Sequence, residues 1–126
     1  MELILEDINS KIYTIRGVQV MLDEDSAKLY NVETKVFNQA VKRNIERFPD
    51  NFRFLLTQNE YESLRSQFVT LETARGKHRK YLPYAFTEQG VSMLSAVLKS
   101  DTAIQTSIQI INSFVKMRRF LFDNAS

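Results

Sequence analysis

The sequence contains no cysteine. Disulfides, thiolate metal sites and cysteine nucleophiles are thereby excluded, and nothing points to an oxidising compartment. No uninterrupted apolar run is long enough to span a bilayer. The opening residues, MELILED, are acidic and lack the basic-then-apolar order of a signal peptide. A cytoplasmic location without a membrane partner is therefore expected. Histidine occurs once, at His78. A metal site would need further ligands at set spacing, and a Ser-His-Asp arrangement a buried carboxylate; neither pattern can be read around it. Asp23, Glu24 and Asp25 are consecutive, so on a helix they point in different directions and suit a helix start better than a cation site. The segment RGKHRK, residues 75–80, has a single glycine and no strand-to-helix context, which excludes a phosphate-binding loop. No enzyme and no cofactor is expected. Internal repeats, low-complexity tracts and linkers are also lacking.

What is present is a chain long enough to bury a core, with nine Phe and five Tyr, which argues against disorder. The net charge is only +2, but it is unevenly spread. Lys35, Lys42, Arg43 and Arg47 against Glu46 carry +3, and Arg75, Lys77, Arg79 and Lys80 carry +4, which leaves −5 for the rest. Two concentrated basic segments in a near-neutral chain fit a polyanionic partner. Solvation alone could account for either of them taken singly.

Residues 11–22 are β-branched runs interrupted by Arg16-Gly17, the pattern of a short hairpin. The acidic triplet then opens a helix over residues 24–30, with Ala27 and Tyr30 inward. Asn31 can adopt a left-handed backbone and end it. Thr34 is the expected N-cap of a second helix over 35–48. Phe37, Ala40, Val41, Ile45 and Phe48 share one face of that helix, while Lys35, Asn38, Gln39, Lys42, Arg43 and Glu46 occupy the other. Asn44 falls within the apolar face, where a buried amide needs a partner, expected on a neighbouring backbone. Pro49 stops the segment.

Residues 52–56 suit a strand, and Thr57 with Glu60 forms a capping box for a third helix running to about Phe68, with Leu56 and Tyr61 placed as a staple. Residues 71–80 are polar and contain Gly76, as a mobile, wing-like loop would. Residues 81–86 are expected to be extended, and Pro83 would confine them to a sheet edge. Thr87 caps a fourth helix to Leu98. Ser100 or Asp101 caps a fifth, long helix over 101–123. That last helix has one apolar stripe at Ile104, Ile108, Ile111, Val115 and Phe122, and a second at Ile110, Phe114, Met117 and Leu121. The band is wide for a helix with one buried side, so a homodimer through it is expected.

Two helices joined by a short turn follow the helix-turn-helix plan, in which the second helix enters the major groove. Lys35, Asn38, Gln39, Lys42 and Arg43 are the side chains that would face base edges, since Asn and Gln suit adenine, and Arg and Lys suit guanine. Arg47 lies to one side, nearer phosphate. The loop residues Arg75, Lys77, Arg79 and Lys80 would grip phosphates beside the groove. Asn is a mediocre helix former, so helix stability gives little reason for Asn38. Exposed aromatics for stacking single-stranded bases are not evident, which disfavours RNA.

The ordered motifs VMLDEDxAKLYxVETKVxNQAVKRNxxRFP and FTEQGVxMLSxVL, followed by the Ile-rich helix, resemble the ORF-six N-terminal domain family. That family stands at the front of phage and prophage proteins of the antirepressor type and is related in kind to the KilA-N and Bro-N domains. The resemblance runs from about Ile12 to Leu121. Ser26 and Asn31 depart from it, at places where Leu and Gly are expected. It implies DNA binding in a regulatory setting. The expectation is therefore one α+β domain over residues 1–126, mostly helical. It has a winged helix-turn-helix-like core spanning 24–48, a small antiparallel sheet and a long C-terminal helix. Its expected function is sequence-selective binding of double-stranded DNA. The alternative is a protein-interaction module that binds a repressor protein or self-associates through the last helix.

Overall fold

A computed structural model describes residues 8–67 and 81–123. The hairpin forms as its sequence predicts: strand β1 (Ile12–Ile15) pairs antiparallel with β2 (Val18–Leu22), Ile15 opposite Val18. Arg16 and Gly17 both have positive φ, 56° and 76°, the two-residue geometry whose twist matches the flanking strands. Arg16 tolerates this conformation with its side chain held. Its Nε donates to Glu60 Oε2 at 2.8 Å, its Nη2 donates to Glu60 Oε1 at 3.0 Å, and the guanidinium lies 4.2 Å from the Phe54 ring centre.

Strands β3 (Arg53–Leu55) and β4 (Tyr84–Phe86) complete a four-stranded sheet of order β1-β2-β4-β3. β4 is thus an interior strand, not the edge strand that Pro83 suggested. Pro83 sits just before the paired residues and contributes only its carbonyl, which accepts from the Leu56 N–H at 3.0 Å. Its missing N–H therefore interrupts no ladder.

Alternation along the strands divides the interior in two. Met21 and Phe86 enter the larger core, while Val20 and Ala85 enter a smaller one with Ile15, Leu56 and Leu64. The smaller core lies under helix α3 (Gln58–Gln67). Its capping box is complete: the Glu60 N–H donates to Thr57 Oγ1 at 3.1 Å and the Thr57 N–H to Glu60 Oε1 at 2.8 Å. Leu56 and Tyr61 pack in the same cluster, as a staple requires.

The larger core is built by α1 (Asp23–Leu29), α2 (Thr34–Arg43), α4 (Glu88–Leu98) and α5 (Asp101–Asp123). Phe86 is its centre, with the Phe37 ring 5.4 Å away at 77° and the Phe48 ring 5.9 Å away at 88°, the edge-to-face arrangement that aromatic quadrupoles favour. Thr87 caps α4 by accepting from the Gly90 N–H at 3.3 Å, and its own hydroxyl donates to the Asn51 carbonyl at 2.9 Å. Gly90 has no substitute here, because a Cβ would stand 2.1 Å from the Phe52 carbonyl oxygen. Ser100, rather than Asp101, caps α5, its hydroxyl accepting from the Ala103 N–H at 3.0 Å. The buried Tyr30 hydroxyl is hydrogen-bonded to Ser107 and ties α1 to α5; burial pushes its pKa up to about 12.

Helix α1 begins and ends one residue earlier than the expected 24–30, and Asn31 stops it as its sequence predicts. Asn31 has φ 60°. Its N–H donates to Lys28 O at 3.1 Å and the Val32 N–H to Ala27 O at 3.0 Å, the paired bonds of a Schellman stop. Ser26 is fully buried, and its hydroxyl donates to the Leu22 carbonyl at 2.9 Å.

The second helix is shorter than residues 35–48 and differs at both ends. Glu33, not Thr34, is its N-cap residue, and no side chain caps it. It stops at Arg43 because Asn44 leaves helical geometry (φ −123°, ψ 37°) and a 3-10 turn over Ile45–Arg47 follows. The Asn44 amide donates to Ala40 O at 2.9 Å, so it closes its own helix and does not reach a neighbouring backbone. Ile45 is turned out by the same change and is 49 % exposed.

Candidate nucleic-acid interface

Helix α2 is anchored by Phe37 and Val41, both fully buried. Its rotation is fixed by a second device, the buried carboxylate of Asp23 at the start of α1. Asp23 Oδ1 accepts from the Glu24 N–H at 2.7 Å. Oδ2 accepts from the Asn38 amide at 3.0 Å and from the Tyr84 N–H at 3.3 Å. One carboxylate therefore joins α1, α2 and β4. Beside it the Arg53 guanidinium lies 3.6 Å from the Tyr84 ring centre. Burial lowers the Arg53 pKa, and the Tyr84 hydroxyl and Asp23 oppose that shift. Asp25, by contrast, pairs with Lys11 at 3.8 Å, and burial raises its pKa. The acidic triplet thus diverges, as consecutive helical residues must.

Against this frame the predicted ridge separates into two groups. Lys35, Gln39, Lys42 and Arg43 are exposed, and Arg47 is exposed on the 3-10 turn. Asn38 is not part of the ridge. It is half-buried, its amide nitrogen is committed to Asp23, and its Oδ1 is buried without a hydrogen-bond partner. With its amide nitrogen bonded to Asp23, Asn38 orients the helix. Arg75, Lys77, Arg79, Lys80 and His78 lie outside the described residues.

The surface beside the ridge is concave. Lys35, Asn38, Gln39 and Lys42 line one wall of a groove of about 1020 Å3, and Leu55, Gln58, Tyr81 and Tyr84 line another. Sequence reasoning missed Val36, which is 50 % exposed next to Lys35. An apolar residue there escapes notice because it adjoins Phe37 in sequence while pointing away from it. Asp23 was read as helix-start chemistry only; nothing in the sequence says that its carboxylate reaches Asn38.

The fold and this surface define an α+β domain in which a helix–turn–helix presents a cationic, amide-bearing outer face. The ORF6N domain matches residues 10–97, and the chain belongs to that family. The match ends within α4, so the long α5 helix lies beyond it. No curated protein and no solved structure matches the chain at a significant level. No helix among the described residues is long and apolar enough to cross a membrane.

Proposed function

We propose that the chain binds double-stranded DNA in a sequence-selective manner, through the outer face of α2. The observation that carries this reading is the exposed set Lys35, Gln39, Lys42 and Arg43 on the second helix of a helix–turn–helix, held in one rotation by Phe37, Val41 and the Asp23–Asn38 bond. Gln39, Lys42 and Arg43 supply donors and acceptors for base edges, and Val36 supplies an apolar contact suited to the thymine methyl group. Arg47, one turn further on, lies toward phosphate. Membership of the ORF6N family supports a phage-type regulatory context, such as that of an antirepressor or transcriptional regulator, acting in the cytoplasm.

The test is a mobility-shift titration on random and selected duplexes over a range of salt. Affinity falls steeply as salt rises, and Lys42→Ala or Arg43→Ala weakens it. A cation that touches only phosphate lowers the log–log salt slope by about 1 when removed. A base-reading residue costs ~1–3 kcal/mol on the selected site and relaxes its sequence. Absent or salt-insensitive binding sinks the reading. A second reading, a protein-interaction module that binds a repressor or self-associates, is favoured by the exposed apolar residues of α5; it is compatible with the first.

A further inference from the structure

Helix α5 carries two apolar stripes, and one lies in the core. Ala103, Ile110 and Phe114 are buried, while Ile104 and Ile108 are each 48 % exposed and Phe122 is 80 % exposed. Val115 is half-buried, and half-buried Ile111 packs against the larger core with one side and leaves the other outside. The outer stripe alternates steps of four and three, from Ile104 to Ile108, Ile111 and Val115. Such alternation keeps a seam facing a partner helix in a left-handed pair. The seam ends in opposite charges, with Asp101 three residues before Ile104 and Arg118 three after Val115.

We propose that this seam pairs with the same seam of a second copy of the chain, antiparallel, about a two-fold axis between Ile108 and Ile111. In that register Ile108 lies level with Ile111 of the second copy, Ile104 with Val115, and Asp101 with Arg118. Each of the four residues from Ile104 to Val115 meets an apolar residue, and an ion pair flanks them on either side. A parallel pair would instead set Asp101 beside Asp101 and Arg118 beside Arg118, and Ile at both seam positions disfavours a parallel dimer as well. Arg118 also holds Glu88, and a guanidinium with five donors can serve both carboxylates. Phe122 then falls level with the second copy's α4–α5 turn. The seam is on a different helix from the DNA-facing residues, so this inference stands or falls separately from that reading.

Sedimentation equilibrium of the full chain without DNA tests it. The chain dimerises, and Ile108→Glu is monomeric with unchanged far-UV circular dichroism. Asp101→Arg and Arg118→Asp each weaken the dimer ~3–10-fold, because exposed pairs are modest and two are affected, and the double variant restores it. Orientation is read separately by cross-linking, since the chain has no cysteine of its own. In the antiparallel register two copies of residue 104 are about 16 Å apart along the helix axis, beyond disulfide reach. Ile104→Cys alone therefore stays uncross-linked, whereas its mixture with Val115→Cys forms a disulfide-linked dimer. A monomer at all concentrations, a trimer or tetramer, an unaffected Ile108→Glu dimer, or cross-linking by Ile104→Cys alone overturns the proposal.

Discussion

Helices α2 and α5 bury their inner faces in the same aromatic core and differ in what they leave outside. The outer face of α2 carries Lys35, Gln39, Lys42 and Arg43, while that of α5 carries Ile104 and Ile108 beside half-buried Ile111 and Val115. Inner faces answer to packing, so they look alike: Phe37 on α2 and Phe114 on α5 have almost no exposure. Outer faces answer to that demand less, although Ile111 still packs against the core with one side. Cations and an amide suit a polyanion, whereas a regular apolar seam suits another helix. The difference teaches that one core can present two outer surfaces of opposite chemistry.

The largest expected effects test the shared half of this comparison. Phe37→Ala and Phe114→Ala each destabilise the fold by ~3–5 kcal/mol, measured by urea denaturation at one fixed protein concentration. Should Phe37→Ala prove nearly neutral, α2 is not held by the core and its outer face has no fixed geometry. Next comes the buried carboxylate that orients α2. Asp23→Ala leaves the Asn38 amide and the Tyr84 N–H without their acceptor, which costs ~1–3 kcal/mol. It also weakens DNA binding at temperatures where the variant is fully folded. Lys42→Ala, by contrast, weakens binding while changing stability by less than ~0.5 kcal/mol. Equal loss of binding and stability in both variants would erase the distinction between orienting and contacting residues.

The smallest effect is a control that touches neither outer face. Arg16 and the capping-box N–H of Thr57 hold the Glu60 pKa down to about 2, from an ordinary 4.5. A depressed carboxylate pKa contributes stability that is full above the unfolded value and disappears as pH falls through the folded one. Thermal melting of the wild type should therefore lose stability between about pH 4.5 and pH 2 that Glu60→Gln does not lose. The ion pair is exposed, so solvent screening keeps the difference small. A Glu60→Gln profile that is parallel to the wild type over that range would show that the Arg16 fork contributes nothing.

Local signals in the chain were legible where a motif is self-contained. Arg16-Gly17, the Thr57–Glu60 box and the Asn31 stop each involve residues within a few positions, and each forms as its side-chain chemistry requires. The family resemblance reached further than the ORF6N match, which ends at residue 97. Errors arose where a residue had two acceptable environments. Pro83 could lie on an edge strand or just outside an interior one, and only the pairing of β4 with both neighbours decides. Asn38 reads as part of the polar face, and only the packed chain brings its amide to Asp23.

The sequence by itself determined which segments are helical or extended, the caps at Thr57 and Thr87 and the stop at Asn31, and that cationic and amide side chains gather on one helix. Those features depend on neighbours three or four residues apart, and backbone geometry brings such neighbours together without help. Only the tertiary structure decided that Asn38 turns toward Asp23 across 15 residues and that Tyr84 joins them across 61. It alone also decided which of the two apolar stripes on α5 enters the core. A buried carboxylate gathers whatever donors the packed chain brings within reach, and that gathering is a property of the whole fold.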